Sequence, residues 1–241
     1  MRSSERHQLK QDRFAATTAE TITWASDHRR KIINIAAIAG IALIAVAGVF
    51  WFLRHREQQA SAALANALET YNAPVRPEGM PENPQVKSFT SDQERAKAAV
   101  EVFKPVVGKY SSSRSGQMAR YFLGLSLQDL GNNAEAEKEL KEAAGSRNSD
   151  VTSMSKFALA SLYRNTNRTT DAINTYKDLA EHPSVSVPKT TAQLELASLY
   201  DSTQQKQEAA KLYEQIAKDN PESVAGQLAT SKRQQLQMPT K

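Results

Sequence analysis

The side chains best suited to chemistry near neutral pH are four histidines, His7, His28, His55 and His182, and they stand far apart. A zinc or catalytic site needs such groups in clusters, with spacings that bring two or more to one point. No two of the histidines have that spacing, and the chain contains no cysteine to supply a thiolate. Glu135, Glu137, Glu139 and Glu142 crowd one stretch, but on a helix they fall on its outer face, where solvation is the ordinary outcome. There is no glycine-rich phosphate loop and no nucleophile elbow. The reading is of a chain that is not an enzyme and calls for no metal and no cofactor. What remains for it to offer is surface, and the elements that display that surface must be found.

The first is residues 32–53, IINIAAIAGIALIAVAGVFWFL, which hold no charged side chain. About 20 apolar residues of helix match a bilayer core of about 30 Å. Arg29, Arg30 and Lys31 close one end and Arg54 and Arg56 the other, while Phe50, Trp51 and Phe52 form an interfacial belt opposite Trp24. A cleaved signal peptide, ending at Ala45-Val46-Ala47, is the competing reading. It would need a very long charged leader and would leave an apolar N-terminus, so an uncleaved anchor fits better. Residues 1–31 carry seven Lys/Arg (Arg2, Arg6, Lys10, Arg13, Arg29, Arg30, Lys31), against only Arg54 and Arg56 in 54–73. The positive-inside bias therefore keeps the N-terminus cytoplasmic and exports the chain beyond residue 53. Small residues Ala36, Gly40 and Ala47 share one face of the span, where another membrane helix could approach.

The rest divides by composition. Residues 1–31 are a charged tail. Residues 54–90 hold a membrane-proximal helix, 57–71, rich in Ala and Gln, and then an insertion with Pro74, Pro77, Pro81 and Pro84, across which a first helix pair would join 57–71 with 91–108. Ser91 with Glu94 forms a capping box that restarts helix. The net charge of +5 is concentrated in the tail, so residues 91–241 mix both signs and do not call for nucleic acid.

Residues 91–241 repeat themselves. Ala99, Ala136, Ala172 and Ala209 recur in register with Phe103, Leu140, Tyr176 and Tyr213, and with Val106, Ala143, Leu179 and Ile216. Upstream, Gly124, Ala160 and Ala197 recur with Leu127, Tyr163 and Tyr200. Turn-like stretches fall between: Gly131-Asn132-Asn133, Asn165-Thr166-Asn167 and Ser202-Thr203-Gln204. Such columns predict an all-α array of helix pairs. Pro105 falls inside one helix, which it should kink or end. The stretch 223–237 predicts a capping helix with Val224 and Leu228 turned inward.

This pattern resembles the tetratricopeptide repeat, in which a small residue of helix A packs on a small residue of helix B twelve positions later. Gly124–Ala136, Ala160–Ala172 and Ala197–Ala209 keep that spacing. The period is longer than the family's usual one, no Trp opens helix A, and only Pro183 and Pro221 match its closing proline. The resemblance implies a concave groove lined by the A helices: Met118, Tyr121, Leu125 and Gln128, then Met154, Phe157, Ser161, Arg164 and Asn165, then Leu194, Ser198 and Asp201. A stripe of Met and aromatic side chains suits adaptable contact with peptide segments; packing between repeats would use the same residues.

The order of tail, span, Ala/Gln-rich helix and degenerate repeats is similar to that of the ancillary subunit of the bacterial Sec translocon, a family of membrane-anchored periplasmic proteins with tetratricopeptide-like repeats. Residues 58–68 and the repeat segment 117–143 carry this resemblance most locally. It implies a single-pass inner-membrane protein with its repeats in the periplasm, whose partners are translocon subunits, periplasmic chaperones or exported clients. A scaffold for division or outer-membrane assembly, or a secreted soluble repeat protein, is the alternative.

Overall fold

The computed structural model describes residues 29–77, 79–81 and 85–237; the tail through residue 28, with His7, Trp24 and His28, and the insertion's Pro84 lie outside the described residues. The described residues are all-α. The helices are α1 (Arg29–Tyr71), α2 (Asp92–Tyr110), α3 (Arg114–Asp129), α4 (Asn133–Ala144), α5 (Ser149–Asn165), α6 (Thr169–Glu181), α7 (Lys189–Ser202), α8 (Lys206–Asp219) and α9 (Val224–Gln237). They belong to two compact units, Met1–His55 and Arg56–Lys241, and α1 contributes to both.

In the first unit the apolar side chains of α1 point outward, with Ile38, Leu43, Ile44 and Trp51 each about two-thirds or more exposed. By length and composition α1 can cross a membrane.

The second unit is a solenoid of helix pairs. The A helices are residues 56–71 of α1 and then α3, α5, α7 and α9; the B helices are α2, α4, α6 and α8. From α2 onward each helix packs on the next, and α3 also meets α5 and α7 meets α9. The columns read from the sequence are its interior. Ala99, Ala136, Ala172 and Ala209 are completely buried, and Phe103, Leu140, Tyr176 and Tyr213 beside them nearly so. A Cβ placed on Gly124 would come 2.6 Å from Leu140 Cγ and 2.7 Å from its Cδ2. The next pairs set Ala160 with Tyr176 and Ala197 with Tyr213, all buried. A branched Leu facing helix A thus demands glycine, whereas an unbranched tyrosine stem leaves room for one methyl group.

The three A-to-B turns close through the same backbone bonds. Gly131, Asn167 and Gln204 adopt positive φ, at 75°, 60° and 63°. The next amide then reaches back to the last turn of the A helix: Asn132 to Leu127 O, Arg168 to Tyr163 O and Gln205 to Tyr200 O. This is the Schellman closure, usual with glycine but here made with Asn and Gln as well.

The insertion before α2 is held at its stem. Arg76 N bonds Phe89 O at 2.8 Å, Phe89 N bonds Pro74 O at 3.0 Å, and Lys87 Nζ donates to Thr70 Oγ1 at 2.7 Å. Ser91 caps α2 through Glu94 N, and the Glu94 carboxylate reaches back to Thr90 N and Oγ1. The first A helix is joined to its neighbours by Arg56, which donates to Lys109 O at 2.9 Å, and by Glu57, which accepts from Arg114 N, Ser115 N and Ser115 Oγ.

Three sequence expectations need correction. Pro105 does not end its helix: α2 runs through it to Tyr110. The proline lies on an exposed face beside exposed Glu101, whose carbonyl is the one left without an amide. In α9 the inward residues are Gly226 and Ala229, while Val224 is 83% and Leu228 46% exposed; close packing on α8 selects the small residues, not the large ones. Glu137 and Glu139 are only partly solvated, since their side chains are 21% and 19% exposed and each sits on a cation.

Two substitutions test this interior. Gly124→Ala should lower stability by about 1–3 kcal/mol, as overpacking does, read as a fall in the melting temperature. The Tyr176 hydroxyl is buried without a partner among the described residues, so Tyr176→Phe should raise stability by about 1 kcal/mol or leave it unchanged. A marked loss on Tyr176→Phe would mean that the hydroxyl has a partner.

Candidate protein-binding groove

Each A helix turns one edge to its B helix through its small residue and leaves another free. Counting Ala67, 2% exposed, as the counterpart of Gly124, Ala160 and Ala197 aligns the first A helix with the others despite the insertion. Three rows then run across α1, α3, α5 and α7: Leu64, Tyr121, Phe157 and Leu194; Leu68, Leu125, Ser161 and Ser198; Tyr71, Gln128, Arg164 and Asp201. None of these twelve is fully buried. Met118 and Met154 are half-buried at a fourth level, and Asn165 and Ser198 are exposed.

The rows are continuous because neighbouring A helices touch. Tyr71 meets Phe122 edge-on at 5.1 Å, α3 packs on α5, and Arg164 Nη1 reaches Glu195 Oε2 of α7 at 2.9 Å. Leu64, Leu68, Tyr71, Tyr121, Leu125, Met154, Phe157 and Leu194 all rest against the core while keeping part of their surface in water. Tyr121 packs on Phe122 at 5.0 Å and Phe157 on Tyr176 at 5.6 Å, so the two aromatics serve packing as well as display. Burial pushes the Tyr121 phenol up, and does the same for Tyr71, with the Asp129 carboxylate adding to it; both are neutral apolar-and-hydroxyl surfaces near neutral pH.

The character of the strip changes along the array. Its first two repeats offer Leu, Leu, Tyr, Tyr, Leu and one Gln. Its last two keep Phe157 and Leu194 but otherwise offer two serines, Arg164 paired to Glu195, and Asp201 paired to Lys206 at 2.5 Å. An extended or helical segment with apolar side chains at one end and polar ones at the other matches that gradient. Leu64, Leu68 and Tyr71 escape sequence reasoning because the insertion breaks the period. The signal that finds them is burial of the small residues Ala60 and Ala67 on one face of the Ala-rich helix.

On the other side of the array Glu137 joins three helices. It accepts from Lys141 Nζ at 2.7 Å, from Arg168 Nη1 at 2.7 Å and from Tyr163 OH at 3.2 Å, and the Arg168 guanidinium lies 4.2 Å over the Tyr163 ring. Lys141 foremost, with Arg168, holds the Glu137 carboxyl below its ordinary 4.5. Lys156 likewise holds Asp178 down, through a 2.6 Å bond between α5 and α6. No group of three or more His, Cys, Asp or Glu side chains is placed to hold a metal among the described residues.

The family model of the tetratricopeptide repeat-like domain matches residues 23–186, and that of the tetratricopeptide repeat matches 157–227. No protein of curated function matches. Among solved structures, a tetratricopeptide repeat protein from Parabacteroides merdae is 22% identical, with a TM-score of 0.48, over 60% of this chain and 55% of its own. This chain thus spans about half the length of that relative. The nearly identical TPR-like repeats of a Podosopora anserina putative kinesin light chain are 20% identical, with a TM-score of 0.46, over 77% of this chain and 90% of theirs.

A folded-state carboxyl held below its unfolded value contributes stability above that unfolded value and loses it as pH falls through the depressed one. Glu137→Gln should therefore cost about 0.5–1 kcal/mol at neutral pH, with wild type and variant converging well below pH 4.5. Melting temperatures across pH check this; a gap that persists in acid would assign the loss to packing.

Proposed function

We propose, on the premise that the chain belongs to the tetratricopeptide repeat-like domain family, that it is a membrane-anchored module for binding proteins. The observation that carries this reading is the dual composition of α1. Its first part is apolar and outward-facing over a bilayer's length, and its last part is the first A helix of the repeat array. A chain so built holds a recognition surface at a membrane. The bias of basic residues toward the N-terminal side supports a cytoplasmic tail and exported repeats.

In finer terms, we assign it to the bacterial inner membrane, single-pass, with residues 1–31 cytoplasmic, 32–53 spanning, and 54–90 and 91–241 periplasmic. Its role there is association with the Sec translocon and with periplasmic chaperones to assist newly exported proteins. The order of tail, span, helix and repeats supports this. The groove residues are the contact surface in this reading: Met118, Tyr121, Leu125 and Gln128; Met154, Phe157, Ser161, Arg164 and Asn165; Leu194, Ser198 and Asp201; and, added by the fold, Leu64, Leu68 and Tyr71. No catalytic role is part of it.

The test is a pull-down of full-length protein from its own membranes in mild detergent, with partners identified by mass spectrometry. Translocon subunits with periplasmic chaperones are the expected catch. Division or outer-membrane assembly machinery without the translocon would overturn the export role. A variant with Tyr121→Ala and Phe157→Ala should lose most of the catch while keeping its helical circular dichroism; a catch unchanged in that variant would remove the groove from the contact.

A further inference from the structure

Apart from Arg76 in the insertion, the arginines of the repeat unit fall into two groups. Arg95, Arg120, Arg164, Arg168 and Arg233 each sit on a carboxylate. Arg56, Arg114 and Arg147 have no carboxylate partner among the described residues. Arg56 spends one donor on the carbonyl of Lys109, and Lys109 itself lies over the Tyr110 ring. These unpaired cations share a location: all lie where a B helix returns to an A helix, at the turns 110–114 and 145–148 or at Arg56, which is bound to the first of them.

Between those two turns is an open cleft of about 530 Å3, lined by Arg114 and Arg147 together with serines of both turns, Gln117 and Asn148. Its lining contains no acidic side chain. The nearby carboxylates are occupied: Glu57 by the α3 N-terminus and Ser115, Asp150 by Ser186 at 2.9 Å, and Asp178 by Lys156. Guanidinium forks interspersed with hydroxyl and amide groups are the chemistry that takes phosphate oxygens. Arg56 comes three residues after residue 53, the last of the apolar segment. A bilayer surface rich in anionic lipid attracts cations within a Debye length, about 8–10 Å.

We propose that this edge, with Arg56, Lys109, Arg114 and Arg147, is a docking surface for the phosphate groups of anionic lipid. The proposal rests on reading residues 32–53 as a membrane span. Each arginine held near an anionic surface strengthens association about fivefold, so three or four fix which edge of the array faces the lipid. In α3 the groove residues begin one turn beyond Arg114, at Met118, and run away from this edge to Gln128, so they stay available to partners.

The chain has no cysteine, which makes single-site labelling direct. Full-length protein carrying a fluorophore at Ser112→Cys, or at Asn132→Cys in an opposite A-to-B turn, is reconstituted into vesicles of phosphatidylcholine alone or mixed with phosphatidylglycerol. Both contain a lipid with a nitroxide on its headgroup. We expect about a twofold loss of emission from the label at 112 in the mixed vesicles only, and little at 132. Arg114→Gln with Arg147→Gln should abolish the loss, whereas Arg114→Lys with Arg147→Lys should keep most of it. Equal quenching in both vesicle types, none in either, or no effect of the Gln variant overturns the docking surface while the protein still floats with the vesicles. Protein that fails to float after an alkaline wash overturns the span as well, so the two failures are read separately.

Discussion

The array depends on how closely the two helices of a pair can approach. Gly124, Ala160 and Ala197 on one side and Ala136, Ala172 and Ala209 on the other bring two backbones together. The side chains four residues on, Leu140, Tyr176 and Tyr213, then fill the space that remains. Interiors packed at crystal-like density tolerate little change of volume, so each pair sets its own compromise. Everything else depends on this contact: the angle at which the A helices present their free face, the reach of Arg164 to Glu195, and the burial that keeps Tyr176 neutral. Burial pushes the Tyr176 phenol up to about 12.

Much of this was open to reading in the chain itself, because an element that must bury small residues at a fixed spacing cannot hide the spacing. The helix pairs, their core columns and the turns at Gly131, Asn167 and Gln204 all follow from periodicity. The failures have physical causes. The pairing of 57–71 with α2 is legible, but its register is not, because about twenty residues intervene (72–91) and burial of Ala67 is what aligns the first A helix with the others. In α9 the rule that large apolar residues face inward gave the wrong face, since the helix packs through Gly226 and Ala229. The Glu137 cluster was opaque because its partners Tyr163 and Arg168 come from the next repeat. Charge pairing across repeats leaves no local pattern.

The same contrast separates the two kinds of surface. The groove was legible as a stripe, because its residues share a helix face with the core. Whether such half-buried rings as Tyr121 and Phe157 serve the fold or a partner is not encoded by spacing, and the structure gives them both a packing neighbour and an exposed flank. The unpaired arginines of the B-to-A turns showed no stripe at all, being brought together only when the solenoid stacks one turn beside the next.

The three A-to-B turns also bear on how the chain acquires its structure. Each closes through a bond between residues five apart, such as Arg168 to Tyr163, and joins helices whose paired small residues lie twelve apart. Contacts so local cost little loop entropy and form quickly. A polypeptide emerging N-terminus first can therefore complete each hairpin soon after its second helix appears, without waiting for the C-terminus. The first pair is the exception, since residues 56–71 must wait across the proline-rich insertion for α2. During that interval Ala60, Ala67 and Tyr71 stand uncovered, making the start of the array the slowest part to gain protection.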